Sequence, residues 1–248
     1  MNLSFFAFPV NVALLLVLIG TTYVLYSEKR KSRVIQMFIA PWMSVLLIAA
    51  VLPTSLIIAF FPEWQFQQSW IFNILLIVLL ANLQGVVMKY KGKHKIRFYL
   101  THIGLYIFVA SLAFGAPDTH KARAILSEGQ TADRAYDLEG RPCSIQTPLK
   151  LEAFEVSYYD NKVPRSFQAT VSIHQEKRVI RVNHPWSRSW KEDIYLVSHG
   201  TDPVTQQPYC VLEFISQPWK HLVQLGVILT ALGVFLLLWG KNLNQKKS

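Results

Sequence analysis

The sequence predicts an integral membrane α-helical protein with five transmembrane helices and one extracytoplasmic, mainly-β domain inserted before the last helix. Three observations lead there. Five apolar stretches each approach the length of a membrane helix. A polar block, residues 115–221, separates the fourth stretch from the fifth. Lysines and arginines gather in the short connections between stretches.

The stretches run Pro9–Tyr26, Ile39–Phe61, Trp70–Tyr90, Phe98–Phe114 and Leu222–Trp239. A helix needs about 20 residues to cross a hydrocarbon core roughly 30 Å thick. Pro9–Tyr26 reads as a retained helix rather than a cleaved signal. It lacks a basic start and a small-residue cleavage site, and a basic cluster follows it. Residues 1–35 then hold this extra helix and its basic loop. Residues 36–115 form a three-helix membrane bundle. Residues 116–219 make the β domain, and 220–248 the closing helix with a basic tail.

Charge orients these spans. Lys29, Arg30, Lys31 and Arg33 lie between the first two, and Lys89, Lys91, Lys93, Lys95 and Arg97 between the third and fourth. Lys241, Lys246 and Lys247 follow the fifth. Short basic loops stay in the cytoplasm. The expectation is a bacterial cytoplasmic (inner) membrane protein with its N-terminus outside, its C-terminus inside and the β domain outside. Those three stretches hold twelve of the 25 basic residues and one acid, Glu28. The remainder carries thirteen bases against fourteen acids, so the net charge of +10 comes from the loops. Such loops set topology and meet anionic membrane lipid. Nucleic-acid binding would need a basic face on a folded domain, and none is predicted.

In the polar block, Phe167, Ala169, Val171 and Ile173 alternate with Gln168, Thr170, Ser172 and His174. This is the period of a half-buried strand. Residues 149–160, 177–185, 193–200 and 208–216 are further strand candidates, with turns at Asp160-Asn161, Gln175-Glu176 and Asp202-Pro203. Residues 116–145 show charge, Gly129 and Gly140 and little periodicity. They are expected to wrap the sheet or stay partly mobile.

Both cysteines, Cys143 and Cys210, fall in this block. An oxidising compartment permits a disulfide between them; two buried thiols are the alternative. They form no CxxC pair, which excludes a dithiol redox motif. No CxxCH, P-loop, GxGxxG, HExxH or GxSxG occurs. No catalytic residue is assigned, and Glu152, Glu155, Asp160, Glu192 and Asp193 read as solvated strand-face or turn acids.

His102 stands apart, because it lies five residues past Arg97 inside an apolar span. Ionisable residues at such depth face protein or a cavity and are functional candidates. Tyr106 follows at i+4 on the same face. Gly104, Ala110, Ser111 and Gly115 are small enough to let a helix or a flat ligand approach closely. Asn82 or Gln84 from the preceding span is placed to take the second ring nitrogen. An uncharged imidazole keeps one nitrogen lone pair, which suits porphyrin iron in a membrane. A hydrogen bond to a neighbouring helix is the competing role. His221 reads as an interfacial anchor. His94 belongs to a basic loop, and His120, His174, His184 and His199 are scattered without metal-ligand spacing.

From about Pro41 onward the chain resembles the ResB/CcsB proteins of the System II cytochrome c biogenesis pathway. SWIFNILLIVLLANLQ (69–84) is similar to that family's Ser-Trp-Trp-Phe span, and FYLTHIGLYIFVASLAFG (98–115) to its His-Leu-Gly helix. ILSEGQ (125–130), residues 149–173 and 180–200 are similar to its extracytoplasmic portion, and residues 216–240 to its closing helix. The resemblance implies one half of a haem exporter and cytochrome c synthase. A ResC/CcsA-type partner would carry the tryptophan-rich haem-handling segment that is absent here. It also implies that His102 is an axial ligand of haem b, shared transiently with the partner, whose product is apocytochrome c with haem attached. The outward domain is shorter than usual for the family, and the first helix has no counterpart in its four-span pattern. Two other roles stay open: a scaffold that stabilises the partner without ligating haem, and an anchor that presents the β domain to apocytochrome or to a thiol-reducing protein.

Overall fold

The computed structural model describes residues 6–61, 70–92, 95–161, 164–173 and 176–245. His94, His174 and the Gln175 turn position lie outside the described residues. Two units result: Met1–Asp118 with Trp219–Ser248, and Thr119–Pro218.

The first unit is helical: α1 (Val10–Lys29), α2 (Arg33–Phe38), α3 (Pro41–Phe60), α4 (Trp70–Lys89), α5 (Lys95–Gly115) and α6 (Lys220–Gln245). By length and composition, four segments among the described residues can cross a membrane: Val10–Lys29, Ile71–Lys89, Lys95–Asp118 and Lys220–Trp239. The expected second span is helical as α3, 20 residues long and apolar throughout. Pro41 opens α3, where its fixed φ suits a helix start. Pro53 lies inside α3, and near it the Thr54 hydroxyl meets the Val51 carbonyl at 2.7 Å. Such local hydroxyl bonds are one way a proline is accommodated in an apolar helix. The short helix α2 occupies the first basic connection, which the sequence reads as a loop.

Helices α5 and α6 make the most extensive helix–helix packing in this unit. Small residues allow it. A Cβ added at Gly104 would sit 2.6 Å from the Thr230 amide nitrogen and 2.9 Å from the Gly226 oxygen. A Cβ added at Gly226 would meet the Phe108 nitrogen at 2.6 Å. Thr101 opposes Gly233 in the same way, and Gly115 opposes Trp219. The helices therefore touch backbone to backbone and run antiparallel. Of the two options the sequence leaves for the Gly104–Gly115 stripe, the neighbour is a helix of the same chain.

A buried carboxylate fastens α1 to this pair. Asp118, in the single 3-10 turn after α5, is 8% exposed. Its Oδ1 accepts from the Phe8 amide at 2.8 Å. Its Oδ2 accepts from the Asn11 side-chain amide at 2.8 Å and the Trp219 indole at 2.7 Å. Asn11 also donates to the Phe114 carbonyl at 2.8 Å. Asp118→Ala is expected to strand these donors, at about 1–3 kcal/mol for the buried amide alone. The check is thermal unfolding of the detergent-purified chain. Asp118→Asn, which keeps an acceptor oxygen, should lose less.

The second unit is one antiparallel sheet of eight strands: β1 (His120–Ser127), β2 (Thr131–Asp137), β3 (Pro142–Tyr158), β4 (Pro164–Ile173), β5 (Glu176–Arg181), β6 (Trp186–Ser187), β7 (Glu192–Thr201) and β8 (Pro208–Ser216). The strand order is β5-β4-β3-β2-β1-β8-β7-β6. The sheet curls until β5 approaches β6 and β7. One face therefore closes on itself, and its core comprises Ala124, Leu126, Leu149, Leu151, Ala169, Val171, Ile194, Leu196, Leu212 and their neighbours. Alternation holds along each strand except where bulges shift its phase. Inward positions step from Leu151 to Phe154 across the Leu151/Ala153 irregularity, and from Ala132 to Ala135 across Ala132/Arg134. An extra residue in one strand produces that shift.

Residues 116–145 correct the sequence expectation. They neither wrap the sheet nor lie loose, but supply β1, β2 and the start of β3, with β1 between β2 and β8. Their buried inward positions are three alanines, Ala124, Ala132 and Ala135, with Leu126 the one large side chain among them, which gives a weak apolar signal. Gly129 (φ 81°) and Gly140 (φ 78°) occupy the left-handed region at the two turns, where glycine is favoured. The Asp202 turn is an Asx arrangement, its Oδ1 accepting from Val204 at 2.8 Å and Thr205 at 3.0 Å.

The disulfide considered between Cys143 and Cys210 is not formed; both are free thiols. Cys143 lies on β3 and Cys210 on β8, with β2 and β1 between them in the ladder. Bridged cysteines keep their Cα atoms within roughly 7 Å. Cys210 is fully buried, and that burial pushes its thiol up to about 12. The thiolate is the nucleophile, so Cys210 is inert in the folded chain. A maleimide reagent is expected to label only Cys143 natively and both cysteines after denaturation. Mass spectrometry of the labelled chain checks this.

Candidate functional site

The site begins with the packing of α5. Gly104 faces α6, and His102, two residues away at 3.6 residues per turn, lies about 160° round the helix from it. His102 is therefore not sealed beneath α6, and it is half-buried within this chain. Three rings stack in series here. Tyr90, just after α4, lies on Phe98 with centroids 3.6 Å apart and planes 7° apart. Phe98 lies on the His102 imidazole at 3.9 Å and 22°. Tyr99 meets Tyr90 and Phe98 edge-on at 6.1 and 5.7 Å. The stack fixes the plane of the imidazole.

A hydrogen bond fixes its tautomer. Nδ1 of His102 is 2.9 Å from the Phe98 carbonyl oxygen. A carbonyl can only accept, so in the uncharged ring Nδ1 carries the proton and Nε2 keeps the lone pair. No partner for Nε2 is found among the described residues. A backbone carbonyl on one ring nitrogen is the arrangement that orients metal-bound histidines. The donor chemistry thus fits an axial ligand of porphyrin iron.

The sequence places Asn82 or Gln84 as the group that orients the imidazole. The structure corrects this. Asn82 is 1% exposed, accepts from the Ser44 hydroxyl at 2.8 Å and donates to the Phe38 carbonyl. It ties α4 to α3 and the end of α2. Gln84 donates to the Ile19 carbonyl of α1 at 2.9 Å. The orienting group is local, one turn back on α5. An aromatic residue at i−4 in Phe98 was the available signal, since helical i,i+4 side chains meet and every such carbonyl is within reach. Tyr106 does share the face of His102, and its buried hydroxyl has no hydrogen-bond partner among the described residues.

The remaining histidines are elsewhere. His221 meets the Gln224 side chain at 3.0 Å on an exposed face of α6. His184 bridges to Arg181. His199 packs edge-on against Phe167 at 4.6 Å in the β unit. Among the described residues, no group of three or more His, Cys, Asp or Glu side chains is arranged to hold a metal ion.

No curated protein matches the chain. Compared with known protein families, residues 84–214 match the ResB-like family. The match takes in His102, α5, and the sheet as far as Phe214 in β8. The resemblances at 98–115, 125–130, 149–173 and 180–200 fall within it, 69–84 meets it only at Gln84, and 216–240 lies beyond it. It spans just over half of the 248 residues, and the chain belongs to the ResB-like family.

Proposed function

We propose that this chain is the ResB/CcsB-like subunit of a membrane haem exporter and cytochrome c synthase. With a ResC/CcsA-type partner it would move haem b outward for attachment to apocytochrome c. Family membership supports a role in cytochrome c biogenesis, and the four apolar helices support a membrane location. The observation that carries the finer reading is His102: an imidazole in an apolar helix, its plane stacked on Phe98 and its Nε2 lone pair unused.

Haem b supplies, when bound, an iron whose axial position accepts an imidazole nitrogen. The chain's own residues perform the holding. Phe98 keeps the proton on Nδ1, and the Tyr90–Phe98 stack limits rotation of the ring. The α5–α6 backbone packing keeps the helix itself from shifting. A second axial ligand would come from the partner, as would the groups that join haem to the CxxCH of the apocytochrome. No catalytic residue is assigned to this chain. The proposed topology follows the basic connections: N-terminus outside, C-terminus in the cytoplasm, the β unit outside, and α3 as a fifth span beside the other four.

The test is co-expression with a ResC/CcsA-type partner and an apocytochrome c in cells lacking their own maturation system. A haem-containing complex and mature cytochrome c are expected. An assembled complex without haem that still matures cytochrome c would overturn the haem-ligating role. It would leave the scaffold, which keeps the helix packing and β unit but tolerates loss of His102.

A further inference from the structure

Two polar atoms on the His102 face of α5 lack a protein partner among the described residues. One is Nε2 of His102, a lone-pair acceptor once Nδ1 is held by Phe98. The other is the buried hydroxyl of Tyr106, a donor. Tyr106 lies one turn beyond His102 on the same face. Helical side chains lean over the turn before them, which carries this hydroxyl back toward the level of the imidazole. Donor and acceptor share a face of α5 and are not bonded to each other.

Other groups of the bundle do not take the hydroxyl either. Asn82 is engaged by Ser44 and Phe38, and the Gln84 amide nitrogen by Ile19; the buried Gln84 Oε1 on α4 is an acceptor that also has no partner among the described residues, yet it is not bonded to Tyr106. The Thr230 hydroxyl is turned to the Gly226 carbonyl at 2.8 Å. A buried hydroxyl without a partner destabilises a fold, and no water is at hand inside a hydrocarbon layer to relieve it. A ligand that satisfies both atoms combines a Lewis-acidic centre or a hydrogen-bond donor for Nε2 with an acceptor oxygen for Tyr106. An iron porphyrin bearing carboxylates has both.

We propose that the Tyr106 hydroxyl donates a hydrogen bond to a carboxylate of the porphyrin whose iron is ligated by Nε2 of His102. This rests on the haem reading of His102 and names the residue that would set the rotation of the macrocycle. A bond to an anionic oxygen in a low-dielectric setting is of the stronger kind. Tyr106 is thus a binding residue with a direction: it distinguishes a porphyrin that carries carboxylates from one that does not.

The full-length chain in complex with its partner, stripped of haem in detergent, would be titrated with haem b and with iron octaethylporphyrin, which has no carboxylate. Tyr106→Phe keeps the ring and removes the hydroxyl. Its affinity for haem b should fall about tenfold, with affinity for iron octaethylporphyrin unchanged. The haem-free variant should melt at the same temperature as wild type or higher, because an orphaned hydroxyl has gone. Unchanged haem b affinity, an equal loss with both porphyrins, or a lower melting temperature without haem would each overturn the proposal. Wild type binding both porphyrins with no effect of Tyr106→Phe removes this proposal alone. Wild type binding neither removes the haem reading with it.

Discussion

With His102 replaced by glycine, the purified complex is expected to lose its reduced-haem absorption bands by at least about tenfold while still assembling. Groups one step removed from a metal already shift its affinity by 10–100-fold, so loss of the ligand itself should act at least as strongly. Assembly should survive because His102 lies on the opposite side of α5 from the Gly104 face that meets α6. The substitution adds a helix-interior glycine at about 1 kcal/mol relative to alanine, too little to dismantle the bundle. It also leaves a space the size of the ring against Phe98. Added imidazole should enter that space and restore the bands. Absorption spectra of wild type and variant, with and without imidazole, decide the matter. Undiminished haem and undiminished cytochrome c maturation in the variant would sink the ligand assignment.

Gly104→Ala should weaken the membrane unit through one methyl group. That carbon would lie 2.6 Å from the Thr230 amide nitrogen and 2.9 Å from the Gly226 oxygen, and backbone atoms cannot swing aside. The helices must separate, and overpacking of this kind costs about 1–3 kcal/mol. Gly20 in α1 provides the control, since nothing lies within 4 Å of the equivalent position there. Gly20→Ala should be neutral or stabilise by up to about 1 kcal/mol through helix propensity. Melting temperature and membrane yield of the two variants would be compared side by side. Equal behaviour would mean that α5 and α6 do not touch as described.

The sequence revealed most where side chains are large and the pattern long. The apolar helices, the alternating β4 and the place of His102 within an apolar helix could all be read directly. The small residues of α5 were visible too, but not which of two occupants they serve, because close approach is a property of a pair of surfaces. The strands β1 and β2 were hidden for a related reason. Alanine faces the core at positions 124, 132 and 135, so neither strand shows the valine–isoleucine run on which strand recognition relies. Bulges blurred β3 further by moving its inward set from odd positions to Phe154. The orienting partner of His102 is not legible in the sequence, which offers the long-range amides of Asn82 and Gln84 instead. A main-chain carbonyl one turn back leaves no mark in composition. The Asp118 cluster was equally hidden, since nothing local to Asn11 or Trp219 announces a shared carboxylate.

That carboxylate sets an order of events during synthesis. Asp118 is 107 residues from Asn11 and 101 from Trp219 along the chain. A ribosome makes Asn11 early and Trp219 only after all of residues 119–218 have emerged. Until then Oδ2 lacks the Trp219 indole donor, and α5 lacks the helix that covers Gly104. Of the helices that meet α5, α6 is the last to be made, and it covers Gly104 only after the β unit has been synthesised. A chain interrupted within the β unit would lack both the Trp219 donor to Asp118 and the helix that covers Gly104.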